Sequence, residues 1–279
     1  MSTRYRKFRP ADVAAAHGLS LEVGWPHRLE DWRFVRRLGM GHVALDGRRV
    51  VGTILTWKHD RRNASLGMLI VDPAFQGRGI GKRLMGLALR DVTGRSVMLT
   101  GTPAGQPLYE KLGFKAIDKV EQHHGIAAQV PALPLPPGER LRPAVASDAP
   151  KLTALAARST GVSRARMMPR LLEVAEGIVL ARAGEMLGFA IFRRFGRGYV
   201  IGPVVAPDAA RAKALVSHWV AMHPGKFLRI DIYASTGLGP WLDSIGLPKN
   251  DTSVAMVKGR APRRDPDLHT FALVNQSLG

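Results

Sequence analysis

Between Gln76 and Arg83 the chain reads QGRGIGKR. Glycines at alternate positions, Gly77, Gly79 and Gly81, open the main chain to close approach by a ligand. Arg78, Lys82 and Arg83 add positive charge beside them. The apolar stretch LGMLIV, Leu66–Val71, precedes this segment, and apolar residues at helical spacing follow it. Where a strand runs through a glycine turn into a helix, unpaired N–H groups and the positive end of the helix dipole coincide, and an anion is favoured. The chemistry on offer is phosphate binding. Spacing excludes two common phosphate loops. A P-loop requires Gly where Gln76 stands and Ser or Thr where Arg83 stands, and a dinucleotide fingerprint starting at Gly77 requires Gly at Lys82.

The elements that must position this loop are legible around it. Gly41–Leu45 and Val50–Trp57 are apolar, β-branched runs separated by DGRR, a hairpin signal. Ser65–Val71 reads as a buried strand. Ile80, Leu84, Leu87 and Ala88 recur at helical spacing and predict an amphipathic helix over residues 79–91. Ser96–Thr100 predicts a short strand. Gly105–Leu112 predicts a short helix closed by Gly113, a residue suited to a left-handed helix end.

A second copy of this plan follows. GHVALDGRRVVGTIL (Gly41–Leu55) lies over GIVLARAGEMLGFAI (Gly177–Ile191) without a gap, LGMLIV over IGPVVA (Ile201–Ala206), and PLYEKLGF (Pro107–Phe114) over PWLDSIGL (Pro240–Leu247). FRPA (Phe8–Ala11) is paired with LRPA (Leu141–Ala144). Matches in one order argue for an internal duplication. Between the copies QVPALPLPPG, Gln129–Gly138, reads as an extended linker, because proline fixes its own backbone and donates no N–H. The expected division is a catalytic domain at 1–126, a Pro-rich linker at 127–138, a second domain at 139–260 and a C-terminal tail at 261–279. The fold class is mixed α/β, each half a mostly antiparallel sheet flanked by helices.

Composition narrows the function classes. No cysteine is present, which excludes disulfides, a cysteine-based zinc site and a cysteine nucleophile, and no metal site is expected. No apolar run is long enough for a membrane span, and the basic start lacks the apolar core of a secretory signal, so a cytoplasmic protein is expected. The formal charge is +19. It divides almost evenly, net +10 over residues 1–126 and net +9 over 127–279, which argues against a dedicated nucleic-acid face.

LIVDPAFQGRGIGKRLM, followed by PLYEKLGF, resembles the GNAT superfamily of acyl-CoA-dependent N-acyltransferases. The family's Gln/Arg-x-x-Gly-x-Gly/Ala pattern falls on Gln76, Gly79 and Gly81. The resemblance covers about residues 3–124, and the second half looks like the weaker GNAT-like domain of tandem members. It implies acetyl-CoA as cofactor, its pyrophosphate held by Gln76, Gly77, Arg78, Gly79, Ile80, Gly81, Lys82 and Arg83. It also implies main-chain groups of Leu69, Ile70 and Val71 facing the thioester carbonyl, and Tyr109 as the acid that protonates the leaving sulfur. In the second half APDAARAKA replaces the glycine loop, with Asp208 where the pyrophosphate would lie, and Leu242 stands for Tyr109. Only the first half is therefore expected to bind the cofactor.

With no cysteine, direct attack by the amine in a ternary complex is the simplest route. The acceptor region of the family falls on LEVGWPHRLEDW, Leu21–Trp32, where Glu22 or Asp31 would attract a cationic amine and Trp25 would pack on it. Plain helix surface for the acids and core for the tryptophan are the alternatives. No acid lies on SLGMLIV to act as base, and a base acting through water is an alternative. Where many relatives carry Asn between the next strand and the tyrosine, Thr100 or Thr102 would replace it. Of the adjacent His123 and His124 only one can face the site, a solvated strand histidine being the plain reading. The leading function is an acetyl-CoA-dependent N-acetyltransferase of a small primary amine. Alternatives are a protein or peptide N-acetyltransferase and a non-catalytic basic protein that binds CoA or nucleic acid.

Overall fold

The computed structural model describes residues 3–279. The first half runs β1 (Arg4–Lys7), α1 (Val13–Glu22), α2 (Leu29–Leu38), β2 (Met40–Asp46), β3 (Arg49–Lys58), β4 (Asn63–Val71), α3 (Ile80–Asp91), β5 (Ser96–Gly101), α4 (Gln106–Lys111) and β6 (Lys115–Ile126). The second repeats it as β7 (Glu139–Pro143), α5 (Ala149–Thr160), α6 (Met168–Leu172), β8 (Glu176–Arg182), β9 (Glu185–Phe195), β10 (Gly198–Ala206), α7 (Ala209–Met222), β11 (Phe227–Tyr233), α8 (Gly239–Ser244) and β12 (Lys249–Lys258). One strand without a counterpart, β13 (His269–Ala272), closes the chain. Among the described residues no helix is long and apolar enough to cross a membrane.

The duplication reaches down to single hydrogen bonds. Arg6 donates to both carboxylate oxygens of Asp12 at 2.6 and 2.8 Å, and Asp12 also accepts from the Arg9 N–H. Arg142 does the same to Asp148 at 2.6 and 2.8 Å, and Asp148 accepts from the Val145 N–H. Arg142 is thus the counterpart of Arg6. The pairing of FRPA with LRPA is corrected by three residues, because the ion pair, and not the proline, occupies the equivalent place. The Arg142 hydrogen bond holds Asp148 down at about 2. Burial raises Asp12, but the bonds from Arg6 and the Arg9 N–H outweigh it, so its pKa is also lowered. A depressed carboxylate stabilises the fold above its unfolded pKa of about 3.9 and loses that contribution as pH falls through the folded value. Thermal melts between pH 5 and pH 2 are expected to show a steeper acid loss for the wild type than for an Asp12→Asn/Asp148→Asn variant. Parallel curves would contradict this.

The strands form one sheet in the order β1-β2-β3-β4-β5-β12-β6-β11-β13-β10-β9-β8-β7. Only β4–β5 and β10–β11 are parallel; the other pairs are antiparallel. The halves exchange their last strands. β12 pairs with β5, Val254 opposite Gly101, and β6 pairs with β11, Ile126 opposite Phe227. Met256 of β12 accordingly packs in the first half's core with Ile80, Leu84, Met85 and Ala88 of α3. The buried face of α3 takes Met85, while Leu87 lies half-buried at its edge. On the other face of the sheet Trp32, Leu19 and Phe8 join Leu152, Met168 and Leu171 in one core that spans both halves.

Residues 261–279, read from the sequence as a tail, are instead an internal part of the fold. β13 inserts between β11 and β10 through Ile232–Ala272 and Val204–Ala272 pairs. Leu268, Phe271, Leu273, Val274 and Leu278 are buried, so the segment is held by apolar burial as well as by the ladder.

Candidate active site

β4 and β5 are in register only from Asn63–Ser96 to Ser65–Met98. Beyond that point the register of β3 against β4 shifts, with Leu55 opposite Gly67 but Thr53 opposite Ile70. Met68 takes a left-handed backbone, φ 54°. Such a bulge bends its strand and intensifies its twist, and here it carries β4 away from β5. Thr53 Oγ1 donates to the Met68 carbonyl at 2.8 Å and fixes the bulge. The wedge so opened leads to the glycine loop.

Gly77 and Gly79 both adopt left-handed backbone, φ 77° and 76°, and a Cβ added at either would meet nothing within 4 Å. The loop is held by conformation, with open space above it. Gly79 caps α3. A Cβ on Gly81 would stand 3.7 Å from Val71 at the end of β4 and 3.8 Å from Leu108 on α4, so loop, strand and tyrosine helix converge there. No acid occurs from Pro73 to Arg90. Lys82 and Arg83 are exposed, and Arg78 lies over the Phe75 ring.

A cavity of about 230 Å³ opens from the wedge. The first half contributes Trp25, His27, Met68, Leu69, Thr100, Thr102 and Tyr109; the second contributes Phe195, Arg229, Asp251, Ser253 and the segment Asn275–Ser277. Tyr109 is 8% exposed. Its ring is clamped where a Cβ on Gly101 would come within 2.6 Å and one on Gly105 within 3.0 Å. Burial raises its pKa to about 12. Its hydroxyl has no hydrogen-bond partner among the described residues. His27 is held near 4 by burial and by the charge of Arg229, so it is neutral at physiological pH.

The residues expected from the sequence separate into two groups. Leu69, Trp25 and Tyr109 line the cavity, and Gln76–Arg83 form the loop beside it. Ile70 and Val71 stay paired to β3, Ile70 in the core. Glu22 is exposed and pairs with Arg49 at 3.8 Å, outside the cavity. Asp31 is buried and committed: it accepts from the Arg28 side chain and N–H, and from the Gly196 N–H of the other half at 2.9 Å. Burial favours its neutral form, but those donors outweigh burial and lower its pKa. It caps α2 and ties the halves together, so it is not available to an amine. Thr102 Oγ1 accepts from the Gly105 N–H, leaving Thr100 as the threonine not engaged in capping α4. His123 is buried against the Leu247 carbonyl at 2.9 Å, and neither it nor His124 reaches the cavity. Arg229, Asp251, Ser253 and Asn275–Ser277 were missed in the sequence. β12 reaches this place only through the strand exchange, which sets it two strands from β11, and Asn275–Ser277 follow the inserted strand β13.

The equivalent places in the second half are filled by the chain itself. Asp208 accepts from the Arg211 N–H at 2.9 Å and occupies the start of α7 as a carboxylate. The β10–β11 wedge, parallel only at Tyr199–Leu228 and Val200–Arg229, is occupied by β13. Leu242 is fully buried.

Two family models, both described as acetyltransferase (GNAT) domain, match residues 33–130 and 152–272. The uncharacterized N-acetyltransferase YitH of Bacillus subtilis (strain 168) is 27% identical over 227 residues, covering 78% of this chain and 77% of its own. Holothin acyltransferase of Pseudoalteromonas sp. (strain SANK 73390) is 24% identical over 264 residues, covering 85% and 88%. A provisionally assigned acetyltransferase of Pyrococcus horikoshii, 16% identical, superposes with a TM-score of 0.79 over 99% of this chain and 96% of its own, a likeness of fold.

Proposed function

We propose, for a chain that belongs to the GNAT acyltransferases with one such domain in each half, that the first half transfers an acetyl group from acetyl-CoA to a primary amine of a small molecule by direct attack. The observation that carries this reading is the meeting of three parts. Tyr109, whose hydroxyl has no hydrogen-bond partner among the described residues, lines the cavity that opens from the β4–β5 wedge. The open glycine loop packs through Gly81 against the end of β4 and against α4, the helix that carries Tyr109. The loop fits a pyrophosphate, with left-handed glycines under free space, Arg78 between them, Lys82 and Arg83 after them, and no acid within it. Bound there, the cofactor supplies an acyl carbonyl and a thiol leaving group. Tyr109 holds its proton at Oη, and a pKa of about 12 keeps it there across the working range. Apolar walls from Trp25, Met68 and Leu69 exclude water from competing with the amine. The wedge gives unpaired main-chain groups of β4 a place from which to polarise the carbonyl.

The size of the cavity supports a small acceptor. At about 230 Å³ it falls below the roughly 300–1,000 Å³ of drug-sized sites, and walls from both halves enclose it where a peptide would need an open groove. Holothin acyltransferase, named for a small molecule, supports the same class. A library of amines screened with acetyl-CoA, with free thiol as the readout, tests the reading; no turnover with any amine would defeat it.

Only the first half should take the cofactor, since Asp208 and β13 fill both equivalent places in the second. Calorimetric titration with acetyl-CoA is expected to give one site per chain. Two equivalent sites would overturn the assignment of the second half as degenerate.

A further inference from the structure

The floor of the cavity is built where the exchanged strands β6 and β12 meet β11, and it carries two charges at opposite ends. Arg229 on β11 donates from Nε to both oxygens of Asp231 at 3.1 Å and from Nη2 at 2.9 Å. Asp231 is wholly buried. The guanidinium also lies over the Phe195 ring at 5.4 Å. It is therefore locked in place, while its Nη1 has no hydrogen-bond partner among the described residues. Two strands away stands Asp251 on β12. Asp231 is opposite Gln122, and Gln122 is opposite Asp251, so the pleat turns these side chains to one face. With strands roughly 4.8 Å apart, Arg229 and Asp251 are anchored on the order of 10 Å from each other. Asp251 is exposed to the cavity, accepts only from the Thr252 N–H, and forms no ion pair among the described residues. Neutral polar groups lie between, where Ser253 Oγ donates to Gln276 at 3.3 Å and Gln276 donates to Asp231 at 3.4 Å.

Resting on the acyltransferase reading above, we propose that the acceptor is an amine that also carries a carboxylate, an amino acid or a close relative, with Arg229 Nη1 holding the carboxylate and Asp251 facing the amine. A fixed guanidinium edge matches a carboxylate and loses little freedom on binding it. A diamine of the same length would set one ammonium against Arg229 and leave the cation without a partner. His27 is neutral and does not compete for the carboxylate. The acceptor site so described requires both halves, which gives the second half a role in recognition although its own cofactor places are filled.

The test titrates the CoA-saturated protein calorimetrically with matched pairs: glycine and methylamine, L-lysine and 1,5-diaminopentane, L-phenylalanine and 2-phenylethylamine. In at least one pair the carboxylate-bearing member is expected to bind tenfold or more tightly than its partner. Arg229→Gln alone would strand the buried Asp231, so the diagnostic variant is Arg229→Gln/Asp231→Asn, which removes both charges of the pair. It should abolish the preference while CoA affinity stays unchanged. Asp251→Asn should weaken both members of the pair. The proposal is overturned if the carboxylate-free members bind as well or better, if no member of any pair binds at millimolar concentration, or if the preference survives in the double variant. Turnover of carboxylate-free amines in the thiol screen would overturn the proposal only where they outperform their carboxylate-bearing partners, and would leave the acyltransferase reading standing.

Discussion

Replacing Gly79 with Asp is expected to weaken acetyl-CoA binding by a hundredfold or more, while Asn at the same position costs tenfold or less. Gly79 holds φ 76° at the start of α3. Both replacements enter the left-handed region, which Asn and Asp tolerate better than other side chains, so they share a strain of about 1 kcal/mol. Both also share the same free space, since an added Cβ meets nothing within 4 Å. They differ in charge. A carboxylate about 4 Å from a phosphate oxygen near a protein surface is opposed by roughly 4 kcal/mol, before screening reduces it. Each 1.4 kcal/mol is tenfold in affinity, and half of that repulsion already exceeds tenfold beyond Asn. Titration of the two variants beside the wild type measures the difference directly. Equal affinities for Asn and Asp would remove the loop from the phosphate site. The repulsion should also fall as salt is raised.

The loop was legible because its signal is local. Glycine spacing, flanking cations and the strand and helix patterns all lie within about twenty residues, and each depends on backbone conformation rather than on distant partners. The short helix that carries Tyr109 was legible in the same way, from the pattern that ends at Gly113, whereas the role given to Tyr109 came from the family resemblance of PLYEKLGF and not from a local signal. The strand exchange was not legible. β6 (KAIDKVEQHHGI) has no clean apolar alternation and β12 (KNDTSVAMVK) gathers its apolar residues in one run, so neither strand carries a local pattern that names its partner. The assignment of 261–279 as a tail failed on the same ground. β13 is four residues long, and only the apolar run Phe271–Val274 hinted that the segment was buried.

Asp31 illustrates a different failure. An acid beside a tryptophan reads as an amine site, but Asp31 also lies three residues after Arg28, at the spacing that returns a side chain to cap its own helix. The cap won because the Gly196 N–H and the Arg28 guanidinium arrive as further donors once the halves pack. In the same way, Arg229 and Asp231 alternate with Leu228, Ile230 and Ile232 along one apolar strand. Two charges on a single face of a buried strand were the available sign of a polar floor.

Removing only the hydroxyl of Tyr109 tests the chemistry with the least disturbance of the fold. Phenylalanine keeps the ring in the cleft between Gly101 and Gly105. The hydroxyl has no hydrogen-bond partner among the described residues, so Tyr109→Phe should strand no buried donor or acceptor there, and stability and acetyl-CoA affinity should stay near wild type. Loss of a positioned general acid costs about 10²–10⁴ in rate. A pKa of about 12 makes Tyr109 a weak acid, yet one that remains protonated at every working pH. The leaving thiol has a reference pKa of about 8.5 and departs with less help than an alkoxide, so a fall near 10² is expected. Single-turnover transfer to an amine identified in the screen supplies the rate, and titration supplies the affinity. The pH profile adds a second check. Because the phenol keeps its proton until about 12, an alkaline limb below pH 10 should persist unchanged in Tyr109→Phe. A limb that vanishes with the hydroxyl would mean that Tyr109 titrates far lower than its burial dictates. A wild-type rate with wild-type affinity would return Tyr109 to the core it packs in, and an intact rate with a large loss of affinity would make it a wall of the cofactor site.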